Sequence, residues 1–296
     1  MTTTTDPADK ELTISESLKA NAFGSRFYEH YIHGELKTPS FPDVALKMRK
    51  AIQQDCEIAD LVKIINMDPV ISGKLIQVVN SPFYMPMVPI TNTLNAINRL
   101  GRKTTRDLVI TFSLKNLIRS EKAIIKKLIQ QSWYQSIKVS SMAYTLAKLT
   151  KKADSDEALL AGLLHNIGVL PILTFADSLS EDTYQPNDIS LCINEVQGQI
   201  GSIILEQWEF PENLRKIPLQ SSDWFANTGE NLNLNDIVLL AKYHCFLGTP
   251  GADLPTIASM PAYQKLGDQT LTPEMSLQIL HDAKQQVADT INFFSQ

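Results

Sequence analysis

Cysteine is scarce in this 296-residue chain, and histidine nearly as scarce: three Cys and five His. Cys56, Cys192 and Cys245 are odd in number, far apart and never in a CxxC arrangement, which excludes a disulfide framework and a zinc knuckle and suits a reducing compartment. The histidines, His30, His33, His165, His244 and His281, form no HExxH or HxH cluster. His30 and His33 are spaced as on a helix, but their aromatic and polar surroundings (RFYEHYIHGE) favour a surface or packing role over a metal site. There is also no Gly-rich phosphate loop, no internal repeat and no apolar run of about 18 residues that would read as a membrane span. MTTTTDPADKELT carries no export signal, so the expected location is cytoplasmic. No strand-length alternation of apolar and polar residues appears, and the expected fold class is all-α.

Positive charge is not scarce but is unevenly placed. The net charge of −5 disfavours a general nucleic-acid binder, yet residues 99–152 hold thirteen Lys and Arg against Asp107 and Glu121, a local +11 in a chain whose remainder is −16. Such a block usually marks the solvated faces of long helices; the alternative is an anion-binding surface on Arg102, Lys103, Arg106 and Arg119.

Helical punctuation organises the rest. Val44, Met48 and Ile52 recur on one face after Pro39 and Pro42. Asp68-Pro69 can open a helix, since Asp caps free amides and Pro lacks only an N–H the first turn leaves unpaired, and Asn80-Ser81-Pro82 closes it. A short helix through Leu94, Ile97 and Leu100 stops at Gly101; others are expected from Thr104 to about Leu117, from about Ala123 to Leu149, after a cap at Ser155 or Asp156, and over about 188–208, 235–247 and 274–294. Residues 218–234 read as a polar loop anchored by Trp224 and Phe225. Asn80 with Phe83 and Tyr84 is either a stop signal with aromatic cover or a partner-binding surface.

The most informative dipeptide is His165-Asn166, at the end of LLAGLLHNIGVLPIL. A His-Asp pair there would offer an imidazole and an anion to a divalent metal; Asn166 removes the anion. At a helix end both residues can also serve simply as packing and capping groups. No Ser or Cys nucleophile stands in a recognisable motif beside a base, and Cys192 and Cys245 read as core residues.

TPSFPDVALKMRKAI, IADLVKIINMDPVISGKLIQVVNSPFY and LNAINRLGRKTTRDLVI, followed by WYQSIKVSSMA, EALLAGLLHNIGVL, GQIGSIILEQWEFP and IVLLAKYHCFLG, resemble the HDOD family over roughly residues 35–248. This is a bacterial signalling module related to HD-domain phosphohydrolases. The resemblance implies an N-terminal extension (1–22), two helical lobes (23–122 and an HD-like lobe 123–248) and a C-terminal loop and helix (249–296). It also implies that the four metal-ligand positions of a catalytic HD domain correspond to Gln135, His165, Asn166 and Lys242, a degenerate metal site in which only one ligand type survives. His244, two residues beyond Lys242 on a helix, should face elsewhere.

The expectation is therefore a non-catalytic, metal-free and cofactor-free regulatory module that binds an unidentified signalling protein or small ligand, without membrane or nucleic acid and with no oligomeric state implied. The four vestigial positions could still line a polar ligand cleft. The competing readings are a metal-dependent phosphohydrolase with residual activity and a nucleotide or nucleic-acid binder working through residues 99–152.

Overall fold

The computed structural model describes residues 12–81, 84, 86–114, 117, 120–249 and 253–266, and these contain helices and no strand. Phe83, Arg119, His281 and the expected helix 274–294 lie outside the described residues. Two short helices open the chain, α1 (Glu16–Ala20) and α2 (Ala22–Ile32). Five more follow: α3 (Asp43–Gln53), α4 (Ile58–Asn66), α5 (Pro69–Val79), α6 (Thr93–Leu100) and α7 (Arg102–Leu114). The long α8 (Ala123–Thr150) leads to α9 (Ser155–Leu164), α10 (Val169–Ser178) and α11 (Pro186–Gln207). Last come α12 (Glu212–Arg215), α13 (Ile217–Gln220), α14 (Leu234–Phe246) and α15 (Pro261–Gln264).

Local chemistry explains the boundaries. Asp68 accepts hydrogen bonds from the amides of Val70 and Ile71 at the start of α5, with Pro69 in its first turn. Gly101 ends α6 at φ 82°, a conformation that favours glycine. The cap of α9 is Asp154, whose carboxylate accepts from the Glu157 amide, rather than Ser155 or Asp156 as expected. The helix after Gly101 begins at Arg102 and ends at Leu114, and the expected loop 218–234 is shortened by α13.

Two hydrophobic cores result. The first gathers Met48, Leu61, Ile65, Ile71, Leu75, Ile97, Leu108 and Phe112 from α3 to α7. The second surrounds α8, which packs along its length on α9 and α14. Ser155–Ser178 is apolar over a length that could cross a membrane, but 89% of its most apolar stretch is buried inside this second core. Helices α1 and α2 also belong here: Phe23 and Phe27 lie 5.4 and 5.5 Å from the ring of Phe175 on α10. A first lobe beginning at residue 23 therefore does not describe the packing, because α2 is held by the second core.

Helix α7 lies between the cores, giving Leu108 and Phe112 to one and Ile110 and Leu114 to the other. Its buried polar side chains survive there by bonding locally: the Thr105 and Thr111 hydroxyls donate to the carbonyls of Gly101 and Asp107, both at 2.7 Å. A second tie joins α3 to the end of α11. Arg49, 7% exposed, sits 5.2 and 5.6 Å from the ring centroids of Phe41 and Phe210, donates to the Trp208 carbonyl and meets the Glu209 carboxylate at 3.1 Å. A desolvated cation–π contact and a charged hydrogen bond together suggest about 3 kcal/mol. Arg49→Met should lower stability in urea by roughly that amount; a change within error would show that the guanidinium adds nothing beyond its volume.

Candidate functional site

A cleft of about 510 Å³ opens in the second lobe between α8, the end of α9, α11 and α14, and Gln135, His165, Asn166 and Lys242 all lie on its wall. These positions are spread over 107 residues of sequence, and close helix packing brings them together. A Cβ on Gly162 would meet the backbone of Ser140 at 2.5 Å, so α9 approaches α8 as only glycine permits. A Cβ on Gly168 would meet the Gln197 carbonyl at 2.0 Å, which draws the turn after His165 onto α11. Ser140 completes the α8–α9 contact by donating to the Leu159 carbonyl at 2.6 Å.

His165 is 3% exposed, and its Nδ1 lies 2.6 Å from the Gly162 carbonyl. Nδ1 must carry the proton in that contact, leaving Nε2 as a lone-pair acceptor; Nε2 is buried and has no partner among the described residues. Burial first, and then the charge of Lys242, push the ring pKa down to about 3, against the smaller opposite pull of the Gly162 bond, so the ring is neutral at ordinary pH.

Asn166 is committed to the protein. Its Oδ1 accepts from Ser136 Oγ at 2.6 Å, while Nδ2 donates to the carbonyl and hydroxyl oxygens of Ser132, each at 3.1 Å. Lys242 Nζ donates to the Ser221 carbonyl at 2.6 Å and stands 4.9 Å from the centroid of the Trp224 ring. Burial lowers its pKa to about 8, which still leaves it mostly charged at neutral pH. His244 is buried elsewhere, with Nδ1 2.7 Å from the Leu240 carbonyl, and is not on the cleft wall.

This donor set does not fit a divalent metal. It offers one imidazole nitrogen, an amide whose oxygen already holds a serine, a cation at the fourth position and the single exposed carboxylate of Asp253. No group of three or more His, Cys, Asp or Glu suited to metal binding occurs among the described residues.

With this geometry established, comparison with known proteins is informative. The HDOD domain pattern matches residues 38–223, more than half of the chain. The chain belongs to the HDOD family. No curated protein matches it. Among solved structures, one from Shewanella amazonensis SB2B, provisionally named a metal-dependent phosphohydrolase, has a TM-score of 0.74 at 22% identity over 92% of this chain and 99% of that one. An HDOD domain protein with unknown function from Geobacter sulfurreducens gives 0.65 at 17% identity, covering 94% and 98%. A provisionally named signal transduction protein from Marinobacter aquaeolei VT8 gives 0.64 at 18% identity, covering 98% and 69%. Similarity at this level establishes an all-helical HDOD fold and leaves the activity of this chain to its own residues.

The other candidate residues of this HDOD protein do not form comparable sites. Asn80 pins the following loop, donating to the carbonyls of Ile76 and Ile90 at 2.8 and 2.6 Å and accepting from the Ile90 amide at 2.8 Å. Tyr84 packs on the first core, and burial raises its phenol pKa. Both therefore have structural roles on which the expected partner surface had not counted. The basic cluster is largely paired: Arg102 with Asp55 at 2.6 Å, Lys103 with Asp154 at 3.1 Å and Arg106 with Asp107 at 2.7 Å. That pairing removes much of the charge an anion surface there would need.

Sequence reading also missed part of the cleft. Gln131, Asn194 and Gln197 lie on its wall with Gln135 and Trp224. The signal was present in the spacing, since Gln131 and Gln135 are four residues apart on α8 and Asn194 and Gln197 three apart on α11.

Proposed function

We propose that this HDOD protein is a non-catalytic signalling module of the cytoplasm, which acts by binding a protein or small ligand on a scaffold that HD hydrolases use for catalysis. The supporting observation is the chemistry of the four cleft positions. Gln135, His165, Asn166 and Lys242 converge on one cleft, yet they supply one neutral imidazole, two amides and an ammonium. A hydrolytic HD site needs anionic and imidazole donors to hold a metal that lowers the pKa of a bound water to near neutrality. Lys242 repels such a cation where a carboxylate would attract it.

The test is metal content together with turnover. Protein purified without chelator should contain well under one equivalent of Fe, Mn, Zn or Ni and should hydrolyse bis-p-nitrophenyl phosphate no faster in the presence of added Mn²⁺ than a buffer blank. A stoichiometric metal accompanied by turnover that His165→Ala abolishes would replace this reading with that of a metal-dependent phosphohydrolase.

A further inference from the structure

The cleft holds unmet polar groups of a particular kind. Lys242 carries three N–H donors, of which the Ser221 carbonyl takes one. The Trp224 ring faces its charge, but no carboxylate pairs with it among the described residues. An ammonium enclosed without a counter-anion is costly unless something supplies one. On the same wall, His165 Nε2 is a buried acceptor without a donor. Around them the side-chain amides of Gln131, Gln135, Asn194 and Gln197 make no hydrogen bond among the described residues, and each can both donate and accept.

Three kinds of occupant can be compared against this set. A metal cation is opposed by Lys242. A neutral apolar molecule would leave both Lys242 and His165 Nε2 without partners, at a penalty of roughly 1–3 kcal/mol for each buried polar group. An anion bearing a hydroxyl or N–H group satisfies both at once. The volume of about 510 Å³ lies within the range of about 300–1,000 Å³ typical of small-molecule sites and far exceeds the space one counter-ion fills.

We infer that this cleft recognises a small polar metabolite with a carboxylate or phosphate group, its oxyanion resting on Lys242 and a hydroxyl or N–H of the same molecule donating to His165 Nε2. The unpartnered amides read the remainder of the molecule. The inference rests on the non-catalytic reading above and gives it a ligand class.

The experiment is calorimetric titration of the full chain at constant ionic strength with three sets of probes: glucose 6-phosphate and inorganic phosphate, succinate and citrate, and uncharged glucose. At least one anionic set should saturate at one equivalent, and glucose should give no heat. Saturation by the phosphate set alone or by the carboxylate set alone identifies the source of the oxyanion, and either result supports the proposal. Lys242→Met should weaken binding at least tenfold. Asn194→Leu, on the exposed rim, should weaken it severalfold and remains informative if the Lys242 variant does not fold. Silence from both anionic sets, equal binding by glucose, or saturation unchanged in both variants would overturn the proposal. Each of those outcomes would leave the metal content and turnover tests of the non-catalytic reading untouched, so the two can fail separately.

Discussion

Asn166→Asp, the substitution that restores the dipeptide of a catalytic HD site, is expected to lower stability by about 3 kcal/mol and to create no metal affinity. The reason lies in what Asn166 bonds. Its amide nitrogen donates to the Ser132 carbonyl and hydroxyl oxygens, and its oxygen accepts from Ser136. Aspartate has no N–H, so an anionic oxygen would face the Ser132 carbonyl at about hydrogen-bond distance, in a position only 8% exposed. The Ser132 hydroxyl can turn to donate, but the carbonyl cannot. Raising its own pKa would relieve part of the strain, and a protonated Asp is no better a metal ligand than the amide it replaces.

Metal affinity would require more than the anion. Gln135 and Lys242 would still occupy two of the four positions, and Lys242 would still place a cation on the cleft wall. Urea unfolding and calorimetry with Mn²⁺ and Zn²⁺ test both halves of the expectation. A variant as stable as the parent that takes up one equivalent of either ion would mean the cleft is one substitution from a working centre, and the non-catalytic reading would have to be given up.

That expectation also shows what the sequence could and could not reveal. The α5 boundaries followed from Asp68, Pro69 and the Asn80-Ser81-Pro82 stop, since caps and prolines act locally. Asp154 was missed as the α9 cap because Asp154, Ser155 and Asp156 offer nearly the same chemistry and only the backbone path selects among them. The place of α2 in the second core was not legible: it depends on Phe23 and Phe27 meeting Phe175, about 150 residues away, and no periodicity encodes that contact. Helix α7 looked too polar for a core, yet its threonines bury their hydroxyls against carbonyls four residues back. At the site, the four vestigial positions could be grouped only through resemblance to a family, whereas the amide wall could have been read from helical spacing alone. The pairing of the basic cluster required the structure, because Asp55 and Asp154 are distant in sequence from Arg102 and Lys103.

Buried ionisable groups give the second large expectation, a loss of stability in mild acid that His165 drives and Asp107 partly offsets. The folded-state pKa of His165 is lowered to about 3 from 6.5, so between those values the unfolded chain holds a proton that the folded chain does not. The stabilisation from keeping this ring neutral is complete above pH 6.5 and declines as pH falls toward 3, with about 2 kcal/mol lost between pH 7 and pH 5. His244, also lowered by burial, acts in the same direction. Asp107 works in the opposite sense. It is 1% exposed, its Oδ2 lacks a partner, and burial raises its pKa to about 6 despite the Arg106 contact. Protonation below pH 6 therefore relieves a penalty in the folded state and returns about 1 kcal/mol over the same interval. Because the shift of His165 is the larger, the net effect of this pair is a loss. His165→Gln should flatten the stability profile between pH 7 and pH 5, and Asp107→Asn should steepen it, both read from urea midpoints at each pH. Parallel profiles for the parent and His165→Gln would show that the imidazole already titrates in the folded protein, and its Nε2 could not then be the neutral acceptor assigned to it in the cleft.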